Sequence, residues 1–207
     1  ERRRVIHKAS NKLAAFGEII GELRTKDMLK FSFVYTPEGE SAEGENLLHA
    51  YMNEFQHRSG GMRAHHYTSK TENRSEVMSR FESGVFDALF SMKCLDEGVD
   101  IPRAEVAIFC SSTGNPRQFI QRRGRVLRRH PDKSSATIYD LIVAPDRSSV
   151  ESMSFELERK LLREELVRLI NFASLASNYY DAMNQVKLLA ESYELNIFAL
   201  QQELEGN

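Results

Sequence analysis

The sequence has no tryptophan and only two cysteines, Cys94 and Cys110, which lack C-x-x-C spacing. This excludes a disulfide scaffold and a thiolate zinc ribbon, and it fits a reduced, cytosolic setting. No apolar run approaches the roughly 20 residues of a membrane-spanning helix. No basic-then-apolar leader opens the chain, and no membrane partner is expected. A G-x-x-x-x-G-K-[ST] loop is missing too, so nothing in these 207 residues can cradle the β- and γ-phosphates of a nucleotide by backbone amides and a lysine. The first residue is Glu1 rather than Met, which reads as a piece cut from a longer protein.

What is present is an ordinary globular composition, 41% apolar and 28% charged. The net charge of −2 hides an asymmetry. Residues 1–150 carry 23 basic and 20 acidic side chains, whereas 151–207 carry 5 and 10. The two parts are therefore expected to face different partners. Six arginines (Arg117, Arg122, Arg123, Arg125, Arg128 and Arg129) crowd one short stretch, the place to look for phosphate chemistry.

Periodicity predicts the elements. Leu13, Phe16, Ile19, Ile20 and Leu23 recur at helical spacing, and Leu47, Leu48, Tyr51, Met52 and Phe55 repeat the pattern before Gly60-Gly61. Thr71–Phe81 is a third helix candidate. Strand-like runs fall at Phe31–Tyr35, weakly at 63–67, and at Val85–Phe90, Val106–Cys110 and Ala136–Val143. Asn115-Pro116 is a helix-start signal. Strands alternating with helices over 31–143 predict an α/β fold, a doubly wound, mainly parallel sheet with helices on both faces. Beyond Pro145 no strand signal remains. Leu157, Leu161, Leu162, Leu166, Leu169 and Ile170 outline one helix, and Tyr179, Met183, Val186, Leu189 and Tyr193 a second. This helical extension is read as further core on the sheet domain, with an assembly surface for a protein partner as the alternative.

Two constellations carry chemistry. Gln121-Arg122-Arg123-Gly124-Arg125-Val126-Leu127-Arg128 is a Q-x-x-G-R-x-x-R string at the end of a predicted helix. In a helical turn, Arg125 and Arg128 emerge on one side. Their planar guanidinium groups suit phosphate oxygens and the charge of a transferring phosphoryl group. Against this stands a plain solvated basic face. Upstream, a strand enters the turn Ser91-Met92-Lys93, followed by Gly98-Val99-Asp100-Ile101-Pro102. Ser91 and Lys93 suit a backbone phosphate, Gly98 allows close backbone approach, and Asp100 suits a ribose hydroxyl; alone, the loop reads as a local Asp turn. Asp96-Glu97 imitates a metal-binding Asp-Glu pair but is read as a loop feature, so no metal ligand is expected. His65-His66 on a strand would alternate faces, one imidazole packed and one exposed.

These residues carry a family resemblance. "LFSMKCLDEGVDIP" resembles motif V of superfamily 2 helicases, "QRRGRVLR" resembles motif VI, and "FSFVYTPEG" is similar to motif IV. "HHYTSKTENRSEVMSRFESG" resembles the intervening segment, and the wording is nearest the DEAD/DEAH-box, type III restriction-subunit and XPB-like members. The resemblance implies a RecA-like second lobe over 1–147, with a lead-in helix, and a helical extension over 148–207. Such a lobe closes over ATP and Mg2+ held mainly by a first lobe of the same protein. It implies that Arg125 and Arg128 act as arginine fingers, that Gln121 lies near the γ-phosphate, and that Gly98 and Asp100 line the nucleotide side. It also implies that Thr36, Ser91 and Lys93 meet a nucleic-acid backbone, although motif V often has threonine where this chain offers Ser91 or Lys93. The implied function is the second ATPase lobe of a DNA helicase or translocase, inactive alone. The alternatives are a non-catalytic docking module and the lobe of an RNA helicase.

Overall fold

Short runs of β-branched and aromatic residues, fully buried in three strands, form the centre of the first of two compact units, Glu1–Leu141 and Ile142–Asn207. The computed structural model describes residues 11–40, 44–92, 100–110, 123–144 and 152–205. In the first unit the order is α1 (Asn11–Thr25), β1 (Ser32–Tyr35), α2 (Leu47–Ser59), β2 (Ala64–His66), α3 (Arg74–Glu82), β3 (Ala88–Ser91), β4 (Val106–Phe109) and β5 (Thr137–Asp140). Among the described residues these strands form one sheet, ordered β2-β3-β1-β4-β5, and every pairing is parallel. The expected doubly wound α/β architecture is what the chain adopts.

Strand alternation divides the core into two faces. Val34, Phe90, Val106 and Ile108 join Phe16, Ile20 and Leu23 of α1 and Leu48, Tyr51 and Phe55 of α2 in one apolar cluster. Phe16 and Phe55 both meet the Phe90 ring edge-on. On the opposite face Tyr35 stacks on Phe109 with ring centroids 4.5 Å apart, next to Phe33. The β1-to-β2 and β2-to-β3 connections run in opposite directions across the sheet. Right-handed crossovers therefore put α2 and α3 on opposite faces.

Element ends follow local hydrogen bonding. Asn46 caps α2 by accepting the Leu48 amide at 2.9 Å. Gly60 ends that helix at φ 72°, where a Cβ would come within 2.8 Å of the Arg24 guanidinium. The strand expected from Val85 begins only at Ala88, because the Val85 and Phe86 amides close the end of α3 by donating to the Arg80 carbonyl. The helix expected from Thr71 starts at Arg74, since Thr71 is tied into a turn with Thr68. The Asn115-Pro116 helix start lies outside the described residues.

The second unit holds three described helices, α4 (Ser152–Ala173), α5 (Tyr179–Ser192) and α6 (Ile197–Glu205). The two helices expected from periodicity are present, and α6 is a third. Leu162, Leu166 and Ile170 pack with Met183, Val186, Ala190, Tyr193 and Leu200. Leu157, grouped by spacing with the buried side of α4, is instead 72% exposed. Glu165 and Arg168 form a buried ion pair at 2.8 Å. Among the described residues no helix is long and apolar enough to cross a membrane.

Candidate functional site

The candidate residues within the description separate into two clusters at opposite ends of the strands. Gln121, Lys93 and Gly98 lie outside the described residues.

The first cluster caps the carboxyl ends of β1 and β3. Thr36 directly follows β1; its amide donates to the Ser91 carbonyl at 2.9 Å and its hydroxyl reaches the same oxygen at 3.3 Å. Ser91 ends β3 with 0% exposure, and its hydroxyl has no hydrogen-bond partner among the described residues. Beside them the Cys110 amide donates to the Tyr35 carbonyl at 2.9 Å, and the buried Lys12 ammonium of α1 donates to the Cys110 carbonyl at 3.0 Å. Burial drives the Cys110 thiol pKa far above its ordinary value, a rise that Lys12 opposes and Asp140 reinforces. The cluster is thus built largely from backbone groups and hydroxyls turned inward.

The second cluster lies near the starts of β4 and β5. Asp100 and Arg128 form an ion pair, Oδ2 to Nη1, with side chains 37% and 58% exposed. Helical geometry covers residues 123–126, and the Leu127 amide donates to the Arg123 carbonyl at 3.0 Å. Arg125 is half-buried within that turn, whereas Arg128 lies past its end. Helical spacing therefore does not place the two arginines on one side; the contact with Asp100 positions Arg128. Val126, between them, is fully buried and anchors the segment.

The link between the two segments is a residue that sequence reasoning missed. The Lys133 ammonium donates to the carbonyls of Pro102 at 2.6 Å, Val126 at 2.7 Å and Ala104 at 3.2 Å. Desolvation lowers its pKa, with Glu105 opposing and Arg103 assisting that shift. Its only signal in the sequence is that it is the single lysine closing an arginine-rich run. Arg103 is a second omission. Its guanidinium lies 3.4 Å over the Phe31 ring and pairs with Glu105, which fixes the approach to β4.

The histidines keep the expected one packed and one exposed imidazole, His65 half-buried against Phe86 and His66 exposed, but their rings do not part to opposite faces. The His65 and His66 rings stack at 4.7 Å, and desolvation with neighbouring His65 and His49 lowers the His66 pKa. Among the described residues no group of three His, Cys, Asp or Glu side chains is arranged to hold a metal ion.

The model of the helicase conserved C-terminal domain matches residues 11–130, more than half of the chain. The chain belongs to that family. It is the C-terminal lobe of a superfamily 2 helicase, as motifs IV, V and VI imply. Over 72 residues it is 38% identical to the DNA 3'-5' translocase XPB2 of Sulfurisphaera tokodaii, covering 35% of this chain and 16% of that protein. Over 60 residues it is 37% identical to Dicer-like protein 1 of Pyricularia oryzae, covering 29% of this chain and 4% of that protein. The matched stretches are thus small fractions of these curated relatives. The crystal structure of the Pyrococcus furiosus Hef helicase domain is 21% identical with a TM-score of 0.48, covering 66% of this chain and 26% of that one.

Proposed function

We propose that this lobe supplies the arginine fingers to an ATP site completed by the N-terminal lobe of the same protein, and that it grips a nucleic-acid backbone in a DNA helicase or translocase. The observation that carries the reading is the Arg128–Asp100 pair, which joins the last arginine of motif VI to the aspartate of motif V. The residues fit one side of a nucleotide. Arg125 and Arg128 offer planar donors for γ-phosphate oxygens, and Asp100 an acceptor for a ribose hydroxyl or for the facing lobe. Gln121 and Gly98 complete that side in the family pattern. No phosphate-cradling loop occurs in the sequence, so ATP and Mg2+ belong mainly to the partner lobe. Hydrolysis transfers the γ-phosphoryl group of ATP to water, with ADP as the leaving group, and this lobe's share is to neutralise the charge that develops in that transfer.

The nucleic-acid edge is assigned to Thr36 and Ser91, and to Lys93 in the family pattern. The Thr36 and Ser91 hydroxyls are buried, so they act by shaping the strand ends rather than as exposed donors. DNA is the favoured backbone, supported by the similarity to a protein described as a DNA translocase. Closure on ATP and reopening after hydrolysis would convert this grip into stepping.

The test is ATPase activity of the complete protein with duplex DNA, single-stranded DNA and RNA, in wild type and Arg128→Ala. Loss of an arginine finger costs about 10³–10⁵-fold in turnover. Nucleic-acid affinity should stay within a few-fold of wild type. Wild-type turnover in Arg128→Ala overturns the assignment, and stimulation by RNA alone moves the substrate from DNA to RNA.

A further inference from the structure

We infer that Lys133 is the positioning residue that sets the geometry of the Arg128–Asp100 pair; this rests on the reading of Arg128 as a finger. An ammonium carries three donors, and here they meet the three carbonyls of Pro102, Ala104 and Val126 at 2.6, 3.2 and 2.7 Å. Those carbonyls belong to the two segments that must converge. Pro102 is two residues beyond Asp100, and Val126 is two residues before Arg128. Arg128 lies beyond the described helical turn, so Lys133 supplies a fixed point for that segment where the helix supplies none.

Lys133 is itself held. Its amide donates to the His130 carbonyl at 3.1 Å, and the Asp132 amide donates to the His130 ring nitrogen at 3.2 Å, closing the turn between Arg128 and β5. The Thr137 amide donates to the Glu105 carbonyl at 2.8 Å, registering the start of β5 against the residue before β4. A side chain without donors at position 133 leaves three converging carbonyls facing one another. The segments then separate while the sheet stays paired.

The experiment uses the complete protein with Lys133→Met, Arg128→Ala and the double variant. Lys133→Met is expected to lower kcat for ATP hydrolysis at least tenfold, with KM for ATP and nucleic-acid affinity within about twofold, as for an interaction realised in the transition state. Added to Arg128→Ala, it should cause no more than a further twofold loss, because it acts through that arginine. Hydrogen exchange should speed at least tenfold at the Ala104 and Leu127 amides, both hydrogen-bonded in the wild type, and stay unchanged in α1 and α2. Unchanged kcat, or losses that multiply in the double variant, would overturn the inference. Full activity in Arg128→Ala would instead overturn the finger reading, and the exchange measurement then decides whether Lys133 fixes the pair. If Lys133→Met does not fold, Lys133→Gln, with two amide donors for three carbonyls, is read the same way.

Discussion

The two candidate clusters, one ahead of the starts of β4 and β5 and one at the carboxyl ends of β1 and β3, handle polar groups in opposite ways. Near the starts of β4 and β5, charge is exposed: Arg128 and Asp100 pair in solvent, and Lys133 uses its donors to hold backbone. At the carboxyl ends of β1 and β3, polarity is buried: Thr36, Ser91 and the Cys110 backbone form a closed set, with Lys12 reaching in from α1. Under the proposed function the exposed cluster meets a small, highly charged ligand that must arrive and leave, and the buried one is a rigid edge beside a long polymer. An exposed ion pair stabilises a fold by about 0–1 kcal/mol, so the first cluster contributes little to folding. The second is made largely of ladder hydrogen bonds, so changes to its backbone or packing act on stability.

The largest break in this comparison is Arg128→Ala, with its thousandfold or greater expected loss of turnover and a thermal midpoint within about 2 °C of wild type. A joint fall in midpoint and turnover would make the exposed cluster structural. Next is Asp100→Ala. Removing the partner of Arg128 should cost about tenfold in nucleic-acid-stimulated ATPase and no more than about 1 kcal/mol in denaturant unfolding. Unchanged stimulated ATPase would separate Asp100 from lobe coupling.

Cys110 sharpens the other side of the comparison. Its buried thiol stays protonated in the folded chain, whereas an unfolded thiol ionises near pH 8.5. The folded state then binds more protons above about pH 8.5. Stability is fully present below that value and falls by about 1.4 kcal/mol per pH unit above it. Lys133, with its lowered pKa, titrates in the opposite sense at high pH, so the readout is the difference between wild type and Cys110→Ala. Between about pH 8.5 and 10 the variant should show the shallower decline. Tyr51, whose pKa burial also raises, enters only above about pH 10. Parallel curves would mean that the thiol ionises in the native chain, and that this edge is less closed than the packing indicates.

Much of the fold was legible because helices α1 and α2 and the central strands are long or apolar enough for periodicity to dominate. Boundaries were lost where hydrogen bonds outside the pattern intervene, as where the Val85 and Phe86 amides turn back to Arg80. The helix α6 was missed because Ile197, Leu200 and Leu204 span barely two turns, too few to reveal a period. At the site, arginine spacing implied a helical turn through Arg128, which Arg128 does not follow. Lys133 was hidden for a plain reason: its partners are carbonyls, which every residue carries, so no side-chain pattern records them.

Ser91 offers the smallest expected effect. A buried hydroxyl without a partner carries its desolvation cost with no hydrogen bond to offset it. Ser91→Ala should therefore leave stability unchanged or raise it by up to about 1 kcal/mol, since the methyl side chain fills most of the same volume. In the complete protein the same change should leave nucleic-acid affinity within about twofold, because the hydroxyl is fully buried and the Thr36 amide still meets the Ser91 backbone carbonyl. A clear fall in affinity at unchanged stability would instead show that the hydroxyl meets a ligand and that the edge opens when nucleic acid binds. A stability loss of more than about 1 kcal/mol, measured by denaturant unfolding of the 207-residue chain, would show the hydroxyl to be satisfied in solution and would return Ser91 to the structural set.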